Sequence, residues 1–342
     1  MTEEQGQNYS PLAFIWGHLF ASFSAPDIDL TGRTALVTGG NGGLGYAAVL
    51  HFARCNASRI IIASRSLTRC QAAAQKVYED VPSYRGVVDV MELDLSSFAN
   101  TIKFCQDLNA DKGRLDIIVA NAGIQPKPET FKQTGDGYEE TLQVNGLATA
   151  LMGVLLLPKL EETAGREVPA GSKGMKPTLS IVASEVHYWS KFPQANAPGS
   201  LIDALNDPAQ FVDFNERYQV SKVLSVFIGR ELAKLPAVTS GKVLVNSVNP
   251  GMCQSAIRDN MGPVIAWIFN AIAWSAEKGA RNFLYSSTQP TMPGAFIHHC
   301  RETPVSTFVV SPKGRETQEK YWKECLDIFR KLGVDSELDR AL

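Results

Sequence analysis

Tyr218 and Lys222 stand four residues apart in the segment Tyr218-Gln219-Val220-Ser221-Lys222. In a helix that spacing puts both side chains on one face. A phenol with a pKa of ~10 is a poor proton donor or acceptor near neutrality. An ammonium held beside it favours the phenolate and draws that pKa toward the working range. The same ammonium can donate to ribose hydroxyls. Taken alone, a tyrosine and a lysine at this spacing are common on plain helix surfaces, so the pair needs further residues to give it meaning.

The first of these is the stretch Thr38-Gly39-Gly40-Asn41-Gly42-Gly43-Leu44-Gly45. It follows the apolar run Ala35-Leu36-Val37 and opens into the helical pattern Tyr46–Ala53. A strand, a glycine turn and a helix in that order make a site for a dinucleotide pyrophosphate. The helix start offers unpaired N–H groups and the positive end of its dipole. Glycine is required where a Cβ would block the phosphate or forbid the turn. Gly39, Asn41, Gly43, Leu44 and Gly45 are therefore expected to touch a cofactor.

The end of the second strand-like run reads Ala63-Ser64-Arg65-Ser66. A site for NAD places an acid near there to accept from the ribose 2′-hydroxyl. Arg65 cannot accept a hydrogen bond, but it pairs well with a 2′-phosphate, and Arg69 is near. This favours NADPH or NADP+. Leu93-Asp94-Leu95 ends the third run, where Asp94 can accept from an adenine amino group or cap the turn that follows. Asn121-Ala122-Gly123 ends the fourth run with small residues, so a cofactor can lie against the backbone.

The elements that must position these residues alternate along the chain. Strand-like runs cover Thr34–Gly39, Arg59–Ser64, Val87–Leu93, Asp116–Ala120, Thr178–Ala183 and Lys242–Val248. Several are continuous apolar runs, as strands buried on both faces should be. Helical patterns lie between them at Tyr46–Arg54, Leu67–Tyr78, Phe98–Asn109, Tyr138–Leu157 and Tyr218–Leu235. The order predicts an α/β doubly wound parallel sheet. A strand over Gly294–His299 and an amphipathic helix over Gly314–Leu332 are expected in the tail. The expected organisation is an extension (1–30), one domain (31–305) and a helical C-terminal extension (306–342). Segments 189–215 and 252–276 read as lids or substrate walls.

The 342 residues carry a net charge of −2, with 44% hydrophobic and 20% charged residues. That gives no reason to expect nucleic acid as a partner. The six cysteines form no Cys-x-x-Cys pair, which suits reduced thiols in the cytoplasm and neither a disulfide framework nor a zinc site. Pro11–Phe23 is apolar but too short to span a bilayer, so no transmembrane segment is expected. It reads as a helix packed on the domain, with contact to a membrane surface as the minority alternative. His298-His299-Cys300 is not read as a metal site, because neighbours on a strand point to opposite faces. His187, three residues after Ser184, reads as a surface or core histidine sooner than a substrate contact.

In one order the chain holds Thr38-Gly39-(x)3-Gly43-x-Gly45, Asn121-Ala122-Gly123, Asn145, Ser184, Tyr218-(x)3-Lys222 and Pro250-Gly251. This set resembles the short-chain dehydrogenase/reductase family over roughly residues 30–300, closest to its retinol-dehydrogenase-like and fungal secondary-metabolism branches. The resemblance implies a Rossmann fold and the following roles. Tyr218 is the general acid and base, Ser184 holds the carbonyl oxygen, Lys222 tunes Tyr218 and holds the ribose, and Asn145 anchors a water in the proton path. Pro250, Gly251, Met252 and Ser255 match positions that border the nicotinamide carboxamide.

Two features depart from the family pattern. Ala120 stands where an asparagine is frequent. Ser184 and Tyr218 lie 34 positions apart (218 − 184), farther than the dozen or so usual in the family. The expected activity is NADPH-dependent reduction of an apolar ketone or aldehyde, or the reverse oxidation of an alcohol. Trp267, Phe269 and Trp274 suggest that the substrate is sizeable. A homodimer is compatible with this reading. The competing reading is an inactive NADPH-binding scaffold or sensor.

Overall fold

The computed structural model describes residues 6–126, 130–167, 169, 172, 174–211, 213–254 and 272–342. One sheet in the order β3-β2-β1-β4-β5-β6-β7-β8 forms its centre. Its strands are β1 (Thr34–Thr38), β2 (Arg59–Ser64), β3 (Val87–Glu92), β4 (Ile117–Ala120), β5 (Thr178–Val182), β6 (Leu244–Val248), β7 (Phe296–Ile297) and β8 (Glu302–Thr303). All pairings from β3 to β7 are parallel, and only β8 runs antiparallel. The chain order reverses between β1 and β4, which opens a crevice at the carboxyl ends of those strands.

Helices cover both faces. Residues of α2 (Gly43–Arg54), α3 (Leu67–Asp80) and α9 (Ala276–Thr288) share one core with Ala35 and Val37 of β1. Residues of α4 (Phe98–Ala110), α5 (Ala148–Ala164) and α7 (Phe214–Leu232) share the other with Leu36. Successive β1 side chains thus enter opposite cores, as the strand repeat requires. Truncating a fully buried residue such as Phe283 or Leu36 is expected to cost about 2–5 kcal/mol.

Two short helices, α8 (Pro236–Thr239) and α10 (Thr307–Val310), flank α9 in the chain, and the tail helices α11 (Pro312–Arg330) and α12 (Asp335–Ala341) belong to the second core. Tyr321, Phe329 and Leu338 pack there with α5 and α7 residues. This explains why α5 is apolar all round. The stretch Leu142–Ala164 is long and apolar enough to cross a membrane by composition, yet it is buried in the fold. The segment 189–215, expected as a lid, holds short 3-10 turns and α6 (Leu201–Asn206). Glu324 of α11 accepts from the Leu201 and Ile202 amides and pins α6 to the tail.

An N-terminal helix, α1 (Pro11–Phe20), is capped by the Ser10 hydroxyl, which accepts from Ala13 N–H at 3.1 Å. Phe14 and His18, one turn apart, point into the protein, whereas Leu12, Trp16, Leu19 and Phe20 face outward. The expected tail strand is shorter than Gly294–His299, because β7 ends at Ile297 and His299 and Cys300 take positive φ.

Candidate active site

The turn from β1 into α2 is built as a cradle. α2 begins at Gly43, and its N-cap Gly42 offers no side-chain hydrogen bond. The first-turn N–H groups are therefore not capped by a side chain there, and they point where an anion would sit. Gly43 has φ +53, and no heavy atom lies within 4 Å of the position its Cβ would take. Gly45 is required by packing, since a Cβ there would fall 2.3 Å from the Gly39 carbonyl oxygen. Thr38 ties this turn to the end of β4. Its carbonyl accepts from Asn121 Nδ2 and its hydroxyl from Ala122 N–H, both at 2.9 Å. The sequence carried no signal for that side-chain role beyond a hydroxyl residue at a strand end.

A small cavity of about 190 Å³ adjoins the cradle and is lined by Asn41, Arg65, Arg69, Asp94 and Leu95, with Gly39, Ala122 and Gly123 at its floor. Both arginines are exposed. Ser66 caps α3 by accepting from Arg69 N–H at 3.3 Å, which fixes the backbone that carries them. Asp94 Oδ1 accepts from the Ser96 amide (3.0 Å) and hydroxyl (2.6 Å). Its capping role is therefore real and coexists with its place on the cavity wall. The residues present fit a dinucleotide: an uncapped helix start, an open glycine turn and two guanidinium groups.

A second cavity, of about 330 Å³, brings Ser184, Tyr218 and Lys222 together. Leu44, Asn121, Gly123, Pro250, Gly251 and Met252 also border it, so it continues from the cradle. Lys222 is buried, and its Nζ donates to the Val182 carbonyl at 3.0 Å. That nitrogen lies 5.6 Å from the centre of the Tyr218 ring. Burial pushes its pKa down to about 8, because desolvation disfavours the ammonium. Ser184 lies two residues past the end of β5 and caps a 3-10 turn (Glu185–Tyr188), with its Oγ accepting from Val186 N–H at 3.3 Å.

Asn145 sits behind these groups in a π-helical turn, Leu142–Leu147, that leads into α5. Such turns locally re-aim a helix face. The Asn145 amide closes a pair of bonds with Ile124, accepting from its N–H (2.8 Å) and donating to its carbonyl (2.7 Å). It also donates to Ser221 Oγ at 3.0 Å. Glu139 fixes the start of this turn by accepting from Thr141 and Leu142 amides at 3.0 and 2.8 Å.

His187 is a core residue. Its Nδ1 donates to the Ser184 carbonyl at 2.7 Å and its Nε2 accepts from Ser306 N–H at 3.2 Å. Complete burial pushes its pKa down to about 4, so the ring is neutral at pH 7. Met252, expected beside the carboxamide, donates its N–H to His18 Nε2 at 2.8 Å. Ser255, Trp267 and Phe269 lie outside the described residues. Trp274 does not face the cavity; it stacks on His18 at 4.6 Å and donates to the His18 carbonyl.

The opposite-faces expectation for His298 and His299 is corrected. Their ring centres lie 3.7 Å apart, because the strand has ended and the strand alternation no longer applies. No group of three metal-binding side chains exists among the described residues.

A family profile described as short chain dehydrogenase matches residues 33–181. The short chain dehydrogenase/reductase dmxR8 of Cryptosporiopsis sp. is 31% identical over 317 residues, covering 92% of this chain and 95% of its own. The short chain dehydrogenase sol3 of Alternaria solani is 35% identical over 273 residues, covering 79% of this chain and 90% of its own. Among solved structures, the Pseudomonas aeruginosa RhlG/NADP active-site complex shares the fold with a TM-score of 0.60, at 24% identity, over 80% of this chain and 97% of its own. Identity sustained over nine-tenths of two chains, on this fold and around this cleft, means that the chain belongs to the short-chain dehydrogenase/reductase family of oxidoreductases.

Proposed function

We propose that the protein is an NADPH-dependent reductase of an apolar ketone or aldehyde, able to run backward on the matching alcohol. The observation that carries this reading is the single cavity shared by Ser184, Tyr218 and Lys222, continuous with an uncapped helix start suited to a pyrophosphate. NADPH, when bound, supplies the hydride that reaches the carbonyl carbon. Arg65 and Arg69 would hold its 2′-phosphate; the NADP in the RhlG complex supports that choice by analogy.

The chain's own residues handle the proton. Tyr218 donates its phenolic proton to the carbonyl oxygen as the C–H bond forms, leaving a phenolate and an alcohol. The Lys222 ammonium favours that phenolate. Its pKa of about 8 keeps it largely charged at neutral pH while leaving it ready to lose a proton. The Ser184 hydroxyl accepts from Val186 N–H through a lone pair, so its own proton is available to the carbonyl oxygen. Asn145 and Ser221 hold the backbone on which Tyr218 and Ile124 stand, since Ser221 Oγ donates to the Tyr218 carbonyl at 2.7 Å.

Beside the polar Gln125, Glu185, Asn215 and Gln219, the lining carries an apolar part made by Phe14, Val186 and Trp189, which supports a substrate with an apolar body. Loss of reduced-nicotinamide absorbance with a carbonyl panel tests the activity. An inactive wild type that still binds NADPH would return the scaffold reading.

A further inference from the structure

We propose that α1 supplies the outer wall of the substrate cavity and that Phe14, set against Trp189, selects flat cyclic ketones over flexible open-chain ones. The proposal rests on the reductase reading of the same cavity. α1 lies before the matched region 33–181, and none of the motifs that carry the family resemblance falls in it.

Phe14 is on the cavity wall because α1 is fastened at several points. Within the helix, His18 donates from Nδ1 to the Phe14 carbonyl at 2.9 Å, and its Nε2 accepts from Met252 N–H. The His18 carbonyl accepts from the Trp274 indole at 2.8 Å. Before the helix, the Tyr9 carbonyl accepts from the Trp189 indole at 2.7 Å. After it, the Ala21 carbonyl accepts from Lys278 Nζ at 2.9 Å. These bonds reach loops on both sides of the cavity, following β5 and β6. The Phe14 ring is therefore held in place before any substrate arrives, which lowers the entropic cost of binding.

The two aromatic rings make a corner. Their centres lie 5.3 Å apart with planes 73° from parallel. A planar ring entering that corner meets the face of one aromatic and the edge of the other, both favourable arrangements. A flexible chain gains less and loses more rotamer freedom. A volume of about 330 Å³, shared with the nicotinamide end, is at the small end for ligand pockets. It suits one or two fused rings around the carbonyl.

The test uses the full-length protein with saturating NADPH and three ketones: cyclohexanone, 2-tetralone and 2-octanone. Wild type should favour 2-tetralone over 2-octanone in kcat/KM. Phe14→Ala should raise KM for 2-tetralone about tenfold, as expected for losing part of a buried aromatic contact. KM for 2-octanone should change little. Phe14→Leu keeps an apolar filler and should give an intermediate loss, which guards against a general collapse of α1. NADPH affinity and thermal midpoint are measured on each variant.

Independently of turnover, 2-tetralone binding to the NADP+-loaded protein is followed by isothermal titration calorimetry on wild type and on Phe14→Ala. Equal KM changes for all three ketones, no change for any, or no 2-tetralone binding by wild type would overturn the proposal. Tyr218→Phe separates the two levels. If it binds 2-tetralone and still reduces it at the wild-type rate, the proton role of Tyr218 fails while the Phe14 wall stands; a wild type that binds 2-tetralone in a Phe14-dependent way without reducing it overturns the reductase assignment alone.

Discussion

The two sides of the cleft are assembled in different ways. The phosphate cradle on the cofactor side is made of backbone. Gly39, Gly43 and Gly45 lie within seven positions of one another, and their neighbours β1 and α2 are adjacent in the chain. The substrate side is made of side chains gathered from Phe14, Ser184, Trp189, Tyr218 and Met252, which the fold draws together from across the sequence. The Met252 amide and the His18 ring that holds it are 234 positions apart. A site built from backbone tolerates few residue types and writes itself into a local motif. A site built from distant side chains leaves little local trace beyond pairs that share one helix, such as Tyr218 and Lys222.

The most severe way to break this contrast is to act where the two sides meet. Tyr218→Phe should retain NADPH binding and lose turnover by roughly 10²-fold or more, because the ring still packs while the proton donor is gone. Stopped-flow reduction and cofactor titration on the same preparation check both halves.

The next effect concerns stability on the substrate side. In the folded protein His187 has a pKa of about 4, against ~6.5 unfolded. Between those values the unfolded chain takes up a proton that the folded chain does not. Stability is therefore fully present above pH ~6.5 and falls as the pH drops toward 4, by about 3 kcal/mol for this ring alone. His299, also pushed down to about 4, acts in the same direction. Urea unfolding at a series of pH values measures this. His187→Gln should flatten the curve, and an unchanged curve would show that the ring does not control the acid limb.

A third experiment sharpens the cofactor side. Wild type should bind NADPH at least tenfold more tightly than NADH, about 1.4 kcal/mol, through charge-assisted contacts of Arg65. Arg65→Asp should erase or reverse that preference with little change in rate at saturating cofactor. The titrations belong at one low salt concentration, since Arg65 is exposed and screening weakens its contacts. Equal affinity of wild type for both cofactors would leave Arg65 a solvated residue.

The mildest effect is on the pH profile. The buried Lys222 ammonium is present below about pH 8 and lost above it. Reduction measured as kcat/KM should therefore decline through that value as support for the Tyr218 phenolate disappears. A flat profile to pH 9 would separate Lys222 from the proton step.

Much of this was legible in the chain. The inner strands β1, β2, β4, β5 and β6 appear as mostly apolar runs because they are buried on both faces, whereas the edge strand β3 is only partly buried and carries Asp89 and Glu92. The glycine turn appears because only glycine satisfies its dihedrals and clearances. Tyr218 and Lys222 appear because a helix repeats every 3.6 residues. The strand rule failed at His298 and His299, where a two-residue strand ends and positive φ swings neighbouring rings together.

The sequence by itself determined the sheet, the phosphate cradle and the spacing of the reacting side chains, since each follows from local periodicity and backbone sterics. Only the tertiary structure decided that Val182 offers its carbonyl to Lys222, that His187 holds Ser184 in place from the tail, and that α1 closes the cavity with Phe14. Those contacts depend on where distant segments land when the two cores pack. Hydrogen bonds and ring contacts are short-ranged, so they are set by position in space and not by separation along the chain.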